Sequence, residues 1–471
     1  MIRRISIACF RMAISPHITN NSPVRAGSNF SGLVGGRSAI LSGVVLILMC
    51  TGFPTHSQTS MSLEGCVQYA FVHHPEITLA QLDITDADWQ IRENTAVALP
   101  QLSAGVDFQH FLKQPAVPAA AFGFDTGDPD AKLTFALKNA FNGRVGIDQL
   151  IFDNTFLLGL KAAREYREYV DLKLEAAKVK LRNAVTDAYL PALLLEENIT
   201  ILGRNIEVQE RVVRETNEIF KAGFAEQLDV DRLQYVLTSL INQRDNFQRQ
   251  REIMIDLLQF AMHMPVTEEI VLTDDLSELL ATYANIDPDA KLDYNTKAEY
   301  ITVVKARELN EIQIDFYRKP WLPTLSGFAQ YQPSYQGNDE LFWIPSALVG
   351  LRLNVPIWDG GMTKARRERA TVSALKVDVQ KETLERVYDL ELESARKQYA
   401  NALARVDNEQ KNLDLAQRIY DTSQIKFQSG VGSSIEVTQA QAGLYQSQAL
   451  LIQARYELLQ ARVALKNAFG R

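Results

Sequence analysis

The titratable residues of this chain do not fall into a catalytic pattern. Histidines His73 and His74 stand beside Glu76 in "HHPE". A paired histidine at the start of a helix reads more simply as a solvent-facing feature than as a metal site. No Gly-rich phosphate loop, nucleophile elbow or metal-ligand spacing occurs, so neither an enzyme nor a cofactor or metal is expected. The acids with the most informative placement are Asp229 and Glu436. Asp229 lies in "IFKAGFAEQLDVDRLQ" (219–234) and Glu436 in "KFQSGVGSSIEVTQAQ" (426–441), two near-copies offset by 207 residues. Each acid sits six residues past a glycine, Gly223 or Gly430. A carboxylate at the start of a helix complements the positive end of its dipole. Repeated around a symmetry axis, it would instead form a negative ring that attracts cations and disfavours anions.

These acids are positioned by elements that occur twice. "PEITLAQLDITDADWQIRENTAVALPQLSAGV" (75–106) matches "AEYITVVKARELNEIQIDFYRKPWLPTLSGF" (298–328), with Pro100 paired to Pro323. "VGIDQLIFD" ends at Asp153 and "VGLRLNVPIWD" at Asp359. From Pro to Asp the copies differ by 17 residues, 53 against 36, as a surface loop allows. From Asp to tip glycine they hold to 70 and 71 residues, as a rod of fixed length would. About 70 helical residues span on the order of 100 Å.

The last helix shows how such rods pack. Val437, Leu444, Leu451, Leu458 and Leu465 recur every seven residues, and Ala440, Ser447, Ala454, Ala461 and Ala468 follow each by three. This is a heptad seam with one large and one small position, and its 3.5-residue period implies left-handed supercoiling. The first copy keeps the pattern except at Arg244 and Arg251, where the side chains can snorkel or meet a different neighbour. Gly223 and Gly430 then read as reversal points, each joining a long helix to a shorter antiparallel one.

Four stretches alternate like half-buried strands: "LSAGVDFQHF" (102–111), "RVGIDQLIF" (144–152), "LSGFAQYQPSY" (325–335) and "LVGLRLNVPIW" (348–358). Each is about ten residues, enough to cross a bilayer when tilted. Trp321 and Trp358 flank them on the helix side, and Tyr331, Tyr335, Phe342 and Trp343 toward the loops. Four strands cannot close a membrane barrel, and an open edge is not tolerated in lipid. A barrel therefore demands a cyclic oligomer.

The amino-terminal end has the layout of a secretory signal. Five arginines precede the first acid, Glu64, and "AILSGVVLILMCTG" (39–52) is an apolar run followed by small residues up to Ser57. Cys50 follows Met49 rather than a small residue, which argues against lipidation. Without residues 1–57 the chain holds 44 basic and 57 acidic residues, a balance of -13, which gives no reason to expect nucleic-acid binding. Cys66 is then the one cysteine, so no internal disulfide forms, and it reads as a half-buried helix residue.

The duplicated order resembles the TolC family of outer-membrane efflux proteins across residues 61–470. The marks are "SLEGCVQYAFVHHPE", the two "LPxLS" junctions, the "IFD" and "PIWDGG" strand exits and the two glycine tips. The resemblance implies a fold that is mainly α with membrane β: a homotrimeric twelve-stranded β-barrel in the outer membrane, continued by an α-helical barrel across the periplasm. It implies a periplasmic adaptor (membrane fusion protein) and an inner-membrane pump as partners, outer-membrane lipid around the barrel, and no nucleic acid. The function implied is the exit duct of a tripartite efflux system for small molecules such as drugs.

The same resemblance makes the tips, with Gly223, Asp229, Gly430 and Gly432, the periplasmic mouth, and places the pore constriction at Glu436 and Gln439. The family has acids at both constriction positions, whereas Gln439 is a neutral amide. Where the family's best-known member ties its tips with an arginine, Gly432 stands here, so a looser closed state or a different closing contact is expected.

The expected organisation is a signal peptide and extension over 1–57, a first repeat over 58–270, an equatorial linker over 271–295 and a second repeat over 296–471. The alternatives are the exit duct of a type I protein secretion system and, in a different class, a periplasmic coiled-coil adaptor or scaffold. Adaptors carry one helical hairpin, and a scaffold leaves the four strands unexplained.

Overall fold

The computed structural model describes residues 59–470, apart from 124–126, 129, 135 and 320. The expected signal segment 1–57, with Cys50, lies outside the described residues. In chain order the elements are β1 (Thr59–Met61), α1 (Leu63–His73), α2 (Pro75–Ala96), β2 (Gln101–His110), β3 (Ala116–Pro118), β4 (Lys132–Thr134), β5 (Asn139–Phe152), α3 (Asn154–Lys221) and α4 (Gln227–Met262). They continue with β6 (Ile270–Leu272), α5 (Leu276–Thr282), α6 (Ala298–Phe316), β7 (Thr324–Gln332), β8 (Ser334–Gly337), β9 (Phe342–Trp343), β10 (Ser346–Asn354), α7 (Met362–Gln428) and α8 (Ser434–Ala468). The unit α2–β2–β5–α3–α4 thus returns as α6–β7–β10–α7–α8. None of the described helices is long and apolar enough to cross a membrane.

The four long strands form one antiparallel sheet in the order β2–β5–β7–β10, with β8 continuing the β5 pairing beyond β7. Residues directly opposite one another share a face. Leu102, Val106 and Phe108 of β2 therefore lie with Phe141, Val145 and Ile147 of β5, and onward with Tyr331, Ala329, Val349, Leu351 and Leu353. This apolar face is bare: Leu102 is 73 % exposed and Val349 82 %. The other face carries Ser103, Asp107, Asn142, Asp148, Gln330, Ser326, Arg352 and Asn354. Apolar on one side and polar on the other is the pattern of a strand between lipid and an aqueous lumen. The outer edges of β2 and β10 have no partner strand among the described residues.

Two departures from the sequence reading have local causes. The stretch 325–335 is split because Pro333 donates no ladder hydrogen bond, and β7 ends at Gln332 before β8 restarts at Ser334. The stretch 348–358 stops being a strand at Asn354, ahead of Val355 and Pro356. A bulge between Leu150 and Phe152 shifts the register of β5 against β7. It turns Ile151 toward Gly327, where an added Cβ would lie 3.4 Å from Ile151 Cδ1.

The strand exits "FD" and "WD" start the two rods. Asp153 accepts from the Thr155 N–H at 2.7 Å and from its hydroxyl at 2.6 Å, capping the 68-residue α3. Asp359 accepts from the N–H groups of Gly361 (3.0 Å) and Thr363 (2.8 Å), and from the Thr363 hydroxyl, ahead of the 67-residue α7. These bonds hold the Asp359 carboxyl below its usual range, the Thr363 hydroxyl most. They satisfy helix-end donors that would otherwise be orphaned where the backbone leaves the sheet.

The main core lies midway along the rods. α1, the middle of α3, the end of α4, the linker and α8 bury Cys66, Tyr189, Leu193, Leu258, Leu276 and Leu459 together. Asp274 of the linker ties them: its Oδ2 accepts from the Leu63 N–H at 2.7 Å and the Tyr189 hydroxyl at 2.9 Å. Cys66 is fully buried here rather than half-buried, and its thiol is pushed up to about 12, by burial first and by Asp274 second. Linker carbonyls are clamped from the second hairpin. Arg396 donates to the Pro288 and Ala290 carbonyls at 2.6 and 2.8 Å, and Arg462 donates to Leu280 O.

Near the sheet, α6 is held to α3 by Lys305, whose ammonium reaches Glu165, Glu168 (2.7 Å) and Glu308 (3.2 Å). Burial alone would lower its pKa, but hydrogen bonds to the three carboxylates outweigh that and raise it. Of the two arginines that interrupt the first heptad seam, Arg251 pairs with Glu196 of α3 and Arg244 bonds Asp245 at 2.8 Å.

Candidate functional site

The two tips reverse the chain by the same device. After α3, Gly223 adopts φ 81°, and the Phe224 N–H bonds the Ile219 carbonyl at 3.1 Å. After α7, Gly430 adopts φ 74°, and the Val431 N–H bonds the Lys426 carbonyl at 3.0 Å. Only a residue without Cβ takes this left-handed conformation cheaply, which is why both positions are glycine. Phe224 and Val431 stand out at the ends, 86 % and 84 % exposed.

Gly432 has a different reason. A Cβ there would lie 2.9 Å from Lys426 Cβ and 3.0 Å from Phe427 N, so the tip backbone is folded flat onto the last turn of α7. No side chain fits without a backbone shift, least of all an arginine.

Asp229 and Glu436 occupy matching first turns and do different things. At the first tip, Glu226 and Asp229 form a capping box; the Glu226 N–H reaches Asp229 Oδ2 at 3.3 Å. Asp229 Oδ1 also accepts from the Ser434 hydroxyl, and Arg232 lies 3.7 Å from the same oxygen. Ser434 belongs to the other hairpin, so this bond fastens one tip to the other. At the second tip Ser433 is the cap, accepting from the Glu436 N–H at 3.3 Å. The Glu436 side chain is exposed and forms no ion pair among the described residues.

Glu436 and Gln439 come together on one groove of about 420 Å³ between α7 and α8. Ala416, Ile419, Ser423, Ala440 and Gly443 complete its lining. Three heptads further along α8, the equivalent positions are Glu457 and Gln460. They line a larger cavity of about 680 Å³ together with Asn183, Asp187, Asn401 and Arg405. Arg405 donates to Glu457 at 2.6 Å. This stripe lies about 150° around the helix from Arg462, which holds the linker, at the heptad repeat angle. Glu436, Gln439, Glu457 and Gln460 therefore share the side of the hairpin that faces away from the linker. Asp229 does not line the Glu436 groove.

Ser434 and the Asp274 anchor were not singled out from sequence, and Asp153 and Asp359 were read as the ends of the strand exits but not as caps. The capping pair carried a signal, since an aspartate closes both strand exits. Ser434 carried none: its counterpart in the first copy is Gln227, and its partner is 205 residues away. His74, from the "HHPE" pair, accepts from the Glu76 N–H at 3.2 Å and caps α2. Burial chiefly lowers its pKa.

Comparison with known proteins places this geometry. Residues 304–471 match the family model described as outer membrane efflux protein. The pyoverdine export outer membrane protein OpmQ of Pseudomonas aeruginosa is 24% identical over 396 residues, covering 81% of this chain and 79% of that one. Among solved structures, the outer membrane protein VceC of Vibrio cholerae superposes with a TM-score of 0.64 at 15% identity, over 87% of this chain and 96% of that one. The open state of the MtrE outer membrane channel of Neisseria gonorrhoeae gives a TM-score of 0.64 at 14% identity, over 87% and 88%.

Proposed function

We propose, from the premise that this chain is an outer-membrane efflux protein of the TolC family, that three copies close into one duct carrying small molecules out of the cell. The observation that carries this reading is the four-stranded sheet with an apolar, exposed face, two unpaired edges, and two helical rods leaving it on one side. In a threefold ring, β10 of one copy pairs with β2 of the next, which gives twelve strands and leaves no edge in lipid. The apolar face meets lipid and the polar face lines the lumen. The hairpins continue the barrel into the periplasm, and their tips meet an adaptor and its pump. Residues 58–270 and 296–471 act as two repeats of one unit, held at the girth by the linker 271–295.

In this reading the stripe with Glu436 and Gln439 faces the pore, since it lies opposite the linker that wraps the outside. Gly223, Gly430 and Gly432 shape the mouth, and Asp229 holds it together through Ser434. Small-molecule cargo is favoured over protein because the relative OpmQ is named for pyoverdine export.

The test is reconstitution of the mature chain. It is expected to need detergent, to run as a trimer, and to conduct ions in a planar bilayer. A chain that is soluble without detergent and monomeric would overturn the duct in favour of a periplasmic scaffold.

A further inference from the structure

Where the rods leave the sheet, exposed cations outnumber the acids, even with the capping Asp153 and Asp359 counted. The first eleven residues of α3, 154–164, contain Lys161 and Arg164 and no acid. In α7, residues 362–370 contain Lys364, Arg366, Arg367 and Arg369 against Glu368 alone, and Arg367 pairs with Glu368 at 3.3 Å. Lys319 follows the end of α6. Lys161, Arg164, Lys319, Lys364, Arg366 and Arg369 are all exposed, and none forms an ion pair among the described residues. Further down the same rods many cations form ion pairs, as in Lys178–Glu175, Arg386–Glu382 and Lys411–Asp407, although Arg211, Lys376 and Arg418 form none among the described residues.

Beside these cations stand apolar side chains that nothing covers. Ile357 is 95 % exposed, Trp358 87 % and Trp321 61 %, all at strand–helix junctions. They lie just beyond the strand ends, after Asn354 of β10 and before Thr324 of β7. Tryptophan at such a boundary sits at the level of lipid headgroups. The cations lie within about two to three helical turns beyond it, at 1.5 Å per residue. Long Lys and Arg stems close much of that distance, with the stem on apolar surface and the charge in the headgroups.

We infer that these helix starts form a basic collar that binds the phosphate groups of anionic phospholipids in the periplasm-facing leaflet of the membrane. The inference rests on the outer-membrane reading above. Its partner is set by charge and continuity: a surface with an apolar band and an unbalanced cationic rim fits an anionic lipid rather than a zwitterionic one. Each surface cation near such lipid strengthens binding about fivefold at physiological salt.

The collar is tested on the full mature trimer by native mass spectrometry, with phosphatidylglycerol or phosphatidylcholine added. The parent is expected to retain phosphatidylglycerol preferentially. Lys364→Gln, Arg366→Gln and Arg369→Gln together should weaken that retention on the order of 100-fold. The control Lys397→Gln with Lys411→Gln, on the rods far from the collar, should leave it intact. Inorganic phosphate at millimolar concentration should not displace the lipid, since the apolar rim has nothing to hold in a free ion.

Equal retention of both lipids, or a triple variant that keeps the preference, overturns the inference. A triple variant that alters the anion-to-cation selectivity of the channel while keeping the lipid also overturns it, because the cations would then face the lumen. Insertion into phosphatidylcholine vesicles separates the two levels of failure. A chain that inserts without lipid preference loses only the collar, and one that does not insert loses the duct.

Discussion

Removing the hydroxyl of Ser434 should loosen the mouth. That hydroxyl donates to Asp229 Oδ1 across the two hairpins, with Ser434 9 % exposed and the Asp229 side chain 18 %. A hydrogen bond to a charged partner contributes about 1.5–3 kcal/mol. Asp229 keeps the Glu226 N–H at 3.3 Å and Arg232 at 3.7 Å after the change, so it is not left unsatisfied. The lower end therefore applies, about 1.5 kcal/mol per copy, or roughly a tenfold shift toward separated tips. In the proposed trimer, three copies acting together would shift a concerted opening by about 4–5 kcal/mol.

Single-channel recording in planar bilayers reads this as longer and more frequent open events for Ser434→Ala. Asp229→Ala should go further, because it also dismantles the capping box of α4, at a cost of about 1 kcal/mol. A double-mutant cycle between the two positions isolates the shared bond. If Ser434→Ala opens no more often than the parent, and the cycle gives no coupling, the bond does not hold the tips.

The other expectations are more local. Glu436→Gln should lower cation selectivity and weaken block by multivalent cations while leaving trimer stability unchanged; a selectivity that stays put while the trimer loosens would make Glu436 a helix-end residue only. Cys66, buried and with its thiol pushed up to about 12, carries almost no thiolate at pH 8 and should resist maleimide in the folded protein but react in urea. Labelling at a free-cysteine rate would mean that the girth opens readily. Ala454 is fully buried in the α8 seam, so Ala454→Phe should overpack it by about 1–3 kcal/mol and lower the thermal transition of the trimer; an unchanged transition would show that this face has room.

The rods and strands were legible because both are periodic. A heptad seam and an alternation in twos are properties of the chain itself, and the duplication let each copy check the other. Val437, Leu444, Leu451, Leu458 and Leu465 are all buried as the seven-residue spacing required. The irregularities were less legible. Pro333 is visible in sequence, but whether it ends a sheet strand or merely splits it depends on β5 running on to Asn139 to pair with β8. The bulge at Ile151 leaves no mark in the residues themselves.

Cys66 looked half-buried because helix α1 alone would leave it so. Its full burial comes from the linker and α3, which lie more than a hundred residues away in sequence. The tip-to-tip bond fails to show for the same reason: Ser434 and Asp229 are paired by the packing of two rods, not by any local pattern.

The near-equal length of the two rods constrains how this chain can change. The connection between strands absorbs a difference of 17 residues between the copies, while the helices from cap to tip run 68 and 67 residues. Deleting one residue in a rod would draw its tip back by about 1.5 Å and turn everything beyond it by about 100°. Ser434 would then swing away from Asp229, and the small residues of the seam would leave their neighbours. Adding seven residues restores the angle but displaces one tip by about 10 Å relative to the other. A longer or shorter duct is therefore reached only by changing both rods at once and by whole heptads. Single insertions and deletions are expected to survive in the loops and to be lost from the rods, so homologues should vary in length by steps rather than gradually.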